Sequence, residues 1–240
     1  MNRFDIIQRA EGDDEENPLL NTIKENKREA VSPIYKQLSA EAVGTLFLTA
    51  TIAMGADAMG IAAILAVMIF ALGHVSGAHL NPAVTLAVFI RGKIDIMRAL
   101  LYILAQVAGA FLGALVPYLV LDETGKMVSY PRRGEGVGVL SALTVETIFT
   151  FALATVVLNV ATTKAQAGNS FFGLAIGFTV LAAAKAGGST SGGAFNPAVG
   201  IALPIMREYY EDIWIYCVGP LLGGALAGLF FMLTAKRDEF

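Results

Sequence analysis

Asn81-Pro82-Ala83 and Asn196-Pro197-Ala198 are one tripeptide written twice in a chain of 240 residues. Ser76-Gly77-Ala78-His79-Leu80 precedes the first copy and Ser191-Gly192-Gly193-Ala194-Phe195 the second, and each copy runs on into Val and a short apolar segment. Asn-Pro is a helix start. Asn caps, and Pro fits the first helical position, where its missing N–H has no intrahelical use. Two such starts inside hydrophobic sequence predict two short helices, at about 82–91 and 197–206, that begin within a membrane. Each would point the positive end of its dipole at whatever lies between them.

The rest of the sequence supports a membrane setting. The chain is 55% apolar and 15% charged, against about 25% charged for a soluble domain. The charges are also segregated. Residues 58–90, 99–121, 165–184 and 213–235 contain none, 37–56 only Glu41, and 136–163 only Glu146. A span needs about 20 apolar residues, so helices are predicted at about 36–55, 58–77, 97–121, 140–162, 169–187 and 212–235. Gly55 and Gly60 frame the first turn, and Asp122 to Gly138 read as a polar loop.

Basic residues orient the chain. With both termini inside, the inner segments carry twelve Lys and Arg and the outer ones five, namely Lys126, Arg132, Arg133, Lys185 and Arg207. The net charge of −3 arises in residues 1–35, which hold eight acids and five bases. This segment reads as a solvated, disordered cytosolic tail. It has no apolar core of a signal peptide. Residues 36–235 read as the channel domain and 236–240 as a short cytosolic end.

The chain repeats itself at about 36–121 and 140–235. Glu41 and Glu146 fall early in the first helix of each half. Tyr102 lies 21 residues after Asn81 and Tyr216 lies 20 after Asn196, a register that also aligns Gly109 with Gly223. Three spans per half is an odd number, so the second half is inverted relative to the first. The two helix starts then meet near the midplane. Positive dipole ends and the amides of Asn81 and Asn196 would repel a cation and welcome a neutral hydrogen-bond acceptor. Non-helical backbone at this depth needs a wet cavity or protein around it, so the carbonyls of 74–80 and 188–195 are expected to line a narrow pore. There is no metal-ligand cluster, P-loop, dinucleotide fingerprint or set of nucleophile and base, and Cys217 is the only cysteine. Enzymatic chemistry, cofactors and nucleic-acid partners are therefore not expected.

Over about residues 36–235 the chain resembles the aquaporin or major intrinsic protein family. Gly73 to Thr85 (Gly-His-Val-Ser-Gly-Ala-His-Leu-Asn-Pro-Ala-Val-Thr) resembles the family's first loop nearly residue for residue, and Tyr216 to Gly224 resembles its last helix. The resemblance implies an all-α hourglass of six transmembrane helices and two re-entrant half-helices, assembled as a homotetramer with one pore per subunit. It implies that Glu41 and Glu146 accept hydrogen bonds from the re-entrant loops and that His79 positions its loop. His74 falls where pore lining and loop support both stand open. Counting from the two Asn residues places the family's selectivity filter at Ile61, Ala184, Gly193 and Val199.

This chain departs from the pattern at Val199, where most members carry Arg. Gly200 matches neither the acid of glycerol channels nor the small hydroxyl of water channels. Only 40 residues separate Glu41 from Asn81, which calls for a minimal turn near Gly55–Gly60. Arg207 and Lys185 read as solvated or headgroup-facing, and the small-xxx-small pairs Gly109/Gly113, Gly173/Gly177 and Gly224/Gly228 as internal packing. The expectation is a passive channel, in the plasma membrane, for water and small uncharged solutes such as glycerol, urea, ammonia or neutral metalloid acids. A water-selective channel is the alternative within the class. A secondary transporter or a structural membrane protein with a closed pore are the alternatives outside it.

Overall fold

A computed structural model describes residues 32–120, 129–236 and 239. The expected acidic tail over 1–31, residues 121–128 of the polar loop with Lys126, and Arg237 lie outside the described residues. Residues Ile34–Phe240 form one compact unit, separate from Met1–Pro33. Its described residues form eight α-helices: α1 Ile34–Ala53, α2 Ala58–Ser76, α3 Pro82–Ile90, α4 Ile96–Val120, α5 Val139–Thr162, α6 Phe172–Ser191, α7 Pro197–Met206 and α8 Ile213–Thr234. No strand occurs among the described residues.

Five helices, α2, α4, α5, α6 and α8, are long and apolar enough to cross a membrane. α1 is the sixth long helix. Its 20 residues extend about 30 Å at 1.5 Å per residue. Its polar residues Gln37, Glu41, Thr45 and Thr49 recur every fourth position and are all buried, while Val43 and Phe47 are exposed. The helix is polar towards the protein and apolar outwards.

The packing is that of a repeat. α1 packs on α4 as α5 packs on α8, and α1 on α2 as α5 on α6. Each half-helix lies against the last helix of the other half, α3 on α8 and α7 on α4. Inverted halves in this way close on each other. We call the face where α1 begins and α8 ends the inner face, and the opposite one the outer face.

Two predicted ends of α6 shift. The helix starts at Phe172 rather than 169, because the Asn169 amide donates to the carbonyls of Val160 and Gln166 and holds a turn there. It runs past Gly187 and Gly188 and stops only at Gly192, whose φ of 95° ends it in the left-handed conformation. Glycine alone did not end the helix; backbone of the opposite hand did. α2 ends in the same way at Gly77, with φ 89°. Residues 74–76 and 188–191 are therefore helical, and only 77–80 and 192–195 are extended loop.

The paired glycines serve helix contacts within the chain. A Cβ at Gly109 would strike the carbonyl oxygen of Ala42, one at Gly223 that of Thr147, and one at Gly224 that of Ala83. Gly200 fits the same account, since a Cβ there would meet the Cβ of Tyr216.

Each face has a polar anchor. On the inner face Arg91 is buried at the end of α3. Its Nε donates to Thr162 Oγ1 at 2.6 Å and its Nη2 to the Thr162 carbonyl at 2.9 Å, with the guanidinium 4.4 Å from the Phe231 ring centroid. The Glu239 carboxylate accepts from the backbone N–H of Lys164 at 2.7 Å and of Ala165 at 3.2 Å. The Lys164 N–H, foremost, holds its carboxyl below the usual carboxylate range. On the outer face Arg133 pairs with the buried Asp212 at 3.2 Å and donates to the Val137 carbonyl at 2.8 Å. Burial, then the bond to Asp212, pushes the Tyr209 phenol up to about 12.

Gly224→Ala is expected to destabilise the fold by about 1–3 kcal/mol, the range for overpacking. Gly188→Ala, with nothing within 4 Å of the added carbon, is expected to be neutral or to stabilise by about 0.5 kcal/mol through lost backbone entropy. Thermal unfolding of both variants in detergent checks the pair, and equal effects would contradict the packing account.

Candidate functional site

The site is built on two loops that mirror each other. Ser76 Oγ (2.6 Å), His79 N (2.9 Å) and Leu80 N (2.7 Å) donate to the Glu41 carboxylate. Ser191 Oγ (2.7 Å), Ala194 N (2.9 Å) and Phe195 N (2.7 Å) donate to Glu146. Both carboxylates are fully buried. An ionised carboxylate accepts several bonds at once, so one side chain satisfies two consecutive backbone donors of a loop that has no helix or sheet to supply partners. Tyr102 and Tyr216 complete the set by donating to the carbonyls of Ser76 and Ser191 at 2.8 and 2.7 Å.

These bonds hold strained backbone. Leu80 and Phe195 sit at φ 52° and 47°, Ala78 and Gly193 at 47° and 66°. A non-glycine residue in this region costs about 1–3 kcal/mol and persists only where its surroundings enforce it. The turn brings each Asn to the start of its half-helix, where Asn81 Oδ1 accepts from Ala83 N at 2.8 Å and Asn196 Oδ1 from Ala198 N at 3.0 Å.

The loops also hold each other. Asn81 Nδ2 donates to the Phe195 carbonyl and Asn196 Nδ2 to the Leu80 carbonyl, both at 2.8 Å. The two helix starts thus meet, and each Asn uses one amide hydrogen on the opposite loop. A primary amide has two, so one hydrogen of each remains for a solute.

A channel of about 650 Å³ passes this point. Asn81, Asn196 and residues 77–79 and 192–194 line it. Among the described residues no protein donor reaches the carbonyls of 77–79 or 192–194. Towards the inner face its walls include Val157, Ile176 and Phe172 and the turn over 162–169. Towards the outer face they include Ile61, Ala184, Gly193, Val199 and Tyr130. All four counted filter positions therefore meet in one wall, and none carries a charge.

The two histidines separate. His79 lines the channel, bonds Thr85 Oγ1 through Nδ1 at 3.1 Å and packs edge-on against Tyr102 at 5.2 Å. His74 is exposed in the last turn of α2 and lies outside the channel wall. Helical periodicity explains the difference, since residues 69 and 73 of α2 face the channel and residue 74 is turned away. Arg207, expected to face solvent or headgroups, is half-buried with its guanidinium 5.6 Å from the Tyr130 ring centroid. Lys185 is exposed.

Residues 129–134, which the sequence left as plain loop, form part of the outer mouth. Gly134 N donates to the Thr190 carbonyl at 3.0 Å, and the backbone of Arg132 lies against Gly192, where a Cβ would strike it. Gln106 and Thr85, to which the sequence assigns no role, are fully buried beside Glu41. The available signal was a lone amide in the charge-free stretch 99–121.

A family profile described as Major intrinsic protein matches residues 28–231. The chain is 38% identical to an aquaporin TIP4-4 of Zea mays over 70% of this chain and 66% of that one. It is 37% identical to a probable aquaporin TIP2-2 of Arabidopsis thaliana over 73% and 72%. Its fold matches the X-ray structure of the aquaglyceroporin from Plasmodium falciparum with a TM-score of 0.73, at 21% identity, over 86% of this chain and 99% of that one. Two mirrored loops, an open path past them and these likenesses lead to one conclusion: the chain belongs to the major intrinsic protein family and is an integral membrane channel for the passive passage of water and small solutes.

Proposed function

We propose that this channel passes small uncharged solutes larger than water, of the glycerol, urea, ammonia or neutral metalloid acid class, together with water. The observation that carries the proposal is the wall formed by Ile61, Ala184, Gly193 and Val199 at the outer end of the channel. Two of these positions are the smallest residues available and none offers a side-chain donor. A water-selective constriction requires a tight ring and donors that replace lost hydration. Here a solute that enters the apolar stretch loses hydrogen bonds at about 1–3 kcal/mol each on the protein scale, until the free amide hydrogens of Asn81 and Asn196 and the loop carbonyls replace them. Bulk is a lesser obstacle.

In this reading Asn81, Pro82, Ala83, Asn196, Pro197 and Ala198 form the central constriction. Ile61, Ala184, Gly193 and Val199 act as the filter, and Glu41, Glu146 and His79 support the loops. His74 contributes to the inner end of α2 rather than to the wall. The paired positive helix ends at the centre exclude cations without a filter Arg. The proposal extends to a homotetramer with one channel per subunit, to cytosolic termini and to the plasma membrane.

Stopped-flow light scattering on proteoliposomes tests the solute class. Glycerol and urea permeability well above protein-free vesicles, non-saturating and independent of ion gradients, is expected. Fast water flux without solute flux would establish a water-selective channel, and dependence on an ion gradient would establish a transporter. Val199→Arg is expected to lower glycerol and urea flux more than water flux, and equal loss of both would remove Val199 from the filter. Cys217 is half-buried on α8 and outside the channel wall, so mercurials are expected to inhibit weakly. Strong inhibition lost in Cys217→Ser would contradict that placement.

A further inference from the structure

The two mirrored loops differ in what surrounds their carboxylates. The positions that hold His79, Thr85 and Gln106 around Glu41 hold Ala194, Gly200 and Pro220 around Glu146. The first half therefore contains a chain of polar side chains that the second lacks, and loop support does not account for it, since Glu146 holds its loop without one.

The hydrogens of this chain can be assigned one after another. Gln106 Nε2 donates to Glu41 Oε2 at 2.8 Å and to Thr85 Oγ1 at 2.9 Å. The flipped amide would set its oxygen against a carboxylate oxygen, so the nitrogen is the group that faces Glu41. These two bonds use both amide hydrogens. Thr85 Oγ1 accepts one of them and still has its own hydrogen to place, in a fully buried site where an unpaired hydroxyl is costly. Its other hydrogen-bond partner is His79 Nδ1, at 3.1 Å. Nδ1 must then accept, and the hydrogen of the neutral imidazole sits on Nε2. That edge of the ring lies over Gly77, where a Cβ would stand 3.4 Å from Nε2. Gly77 and His79 both line the channel.

We propose that Gln106 and Thr85 are positioning residues that fix His79 in the Nε2–H tautomer, and that this N–H is a third solute-facing donor on the inner side of the Asn81–Asn196 pair. Its role towards solutes rests on the reading of the channel as a path for neutral hydrogen-bonding molecules. The two halves of the path then differ chemically. A solute oxygen meets donors at the centre and again on the inner side, while the outer side presents an apolar wall. Gly77 leaves the donor uncovered, and Ala194 offers no counterpart in the second loop.

Nitrogen-15 NMR of the full-length protein labelled at histidine tests the assignment. The chain has two histidines, and His74→Gln leaves His79 as the sole imidazole. The expected spectrum shows a protonated Nε2 and an unprotonated Nδ1, retained in Thr85→Ser and replaced by a tautomer mixture in Thr85→Val and Gln106→Leu. Glycerol permeability in proteoliposomes is expected to fall at least twofold from Thr85→Ser to Thr85→Val. A protonated Nδ1 in the His74→Gln protein overturns the assignment without any further variant. An unchanged spectrum in both Thr85→Val and Gln106→Leu overturns the positioning roles. A changed spectrum with unchanged glycerol flux overturns the donor role. Absence of glycerol flux in the unmodified protein, with the expected spectrum, would refute the solute class proposed above and leave the tautomer assignment standing.

Discussion

Two consecutive backbone N–H groups inside an apolar bundle must find an acceptor, and the architecture depends on how that demand is met. In this chain the acceptor is a carboxylate delivered from another helix, Glu41 for His79 and Leu80, Glu146 for Ala194 and Phe195. Without it each loop would carry orphaned donors in a region with no bulk water, at several kcal/mol per group. A buried carboxylate in turn requires donors around it, since burial of an unpaired charge is more costly still. Loop and acid are therefore mutually necessary. A lone acid in an otherwise uncharged span is as strong a structural signal as the Asn-Pro-Ala it serves.

The same bonds let the loops keep unfavourable backbone. Leu80 and Phe195 lie at positive φ, and each donates its N–H to a carboxylate and accepts at its carbonyl from the amide of the opposite Asn. One strained residue thus joins its own helix bundle to the other half. The consequence for transport is directional. Because Leu80 and Phe195 spend their carbonyls across the midplane, the acceptors left for a solute are those of residues 77–79 and 192–194, one set on each side of the Asn pair. A passing molecule exchanges donors for acceptors at fixed steps, and the backbone sets where the acceptors stand.

Much of this was legible in the sequence because it is local or counted. Asn and Pro announce their helix starts, hydropathy marks the spans, and a fixed offset from Asn81 or Asn196 locates Ile61, Ala184, Gly193 and Val199. What could not be read was non-local. The His74 and His79 side chains are equally polar in the sequence, and only the phase of α2 turns the first away while the loop that follows brings the second to the channel. The approach of Arg132 to Gly192 and of Arg207 to Tyr130 depends on how 129–137 folds back over α6, which no periodicity encodes. The predicted end of α6 at 187 falls short of the observed one at Ser191. Gly187 is a contact residue, its missing side chain admitting Val145, and only the left-handed Gly192 ends the helix.

A channel wall with Val199 in place of a hydrogen-bonding side chain could be expected to lose its shape, but the geometry argues otherwise. Val199 is in the first turn of α7, a helix whose start is fixed by the Asn196 cap and whose next residue, Gly200, is pressed against Tyr216. Tyr216 is in turn tied to the Ser191 carbonyl, and Ser191 to Glu146. None of these bonds passes through the side chain at 199. The loop is thus hydrogen-bonded from behind, by the bundle, while the Val199 side chain contributes only apolar packing. The loop's hydrogen bonds do not depend on which residues stand at Ile61, Ala184 or Val199. The side chains that face the channel can therefore vary without loss of the loop's own hydrogen bonds.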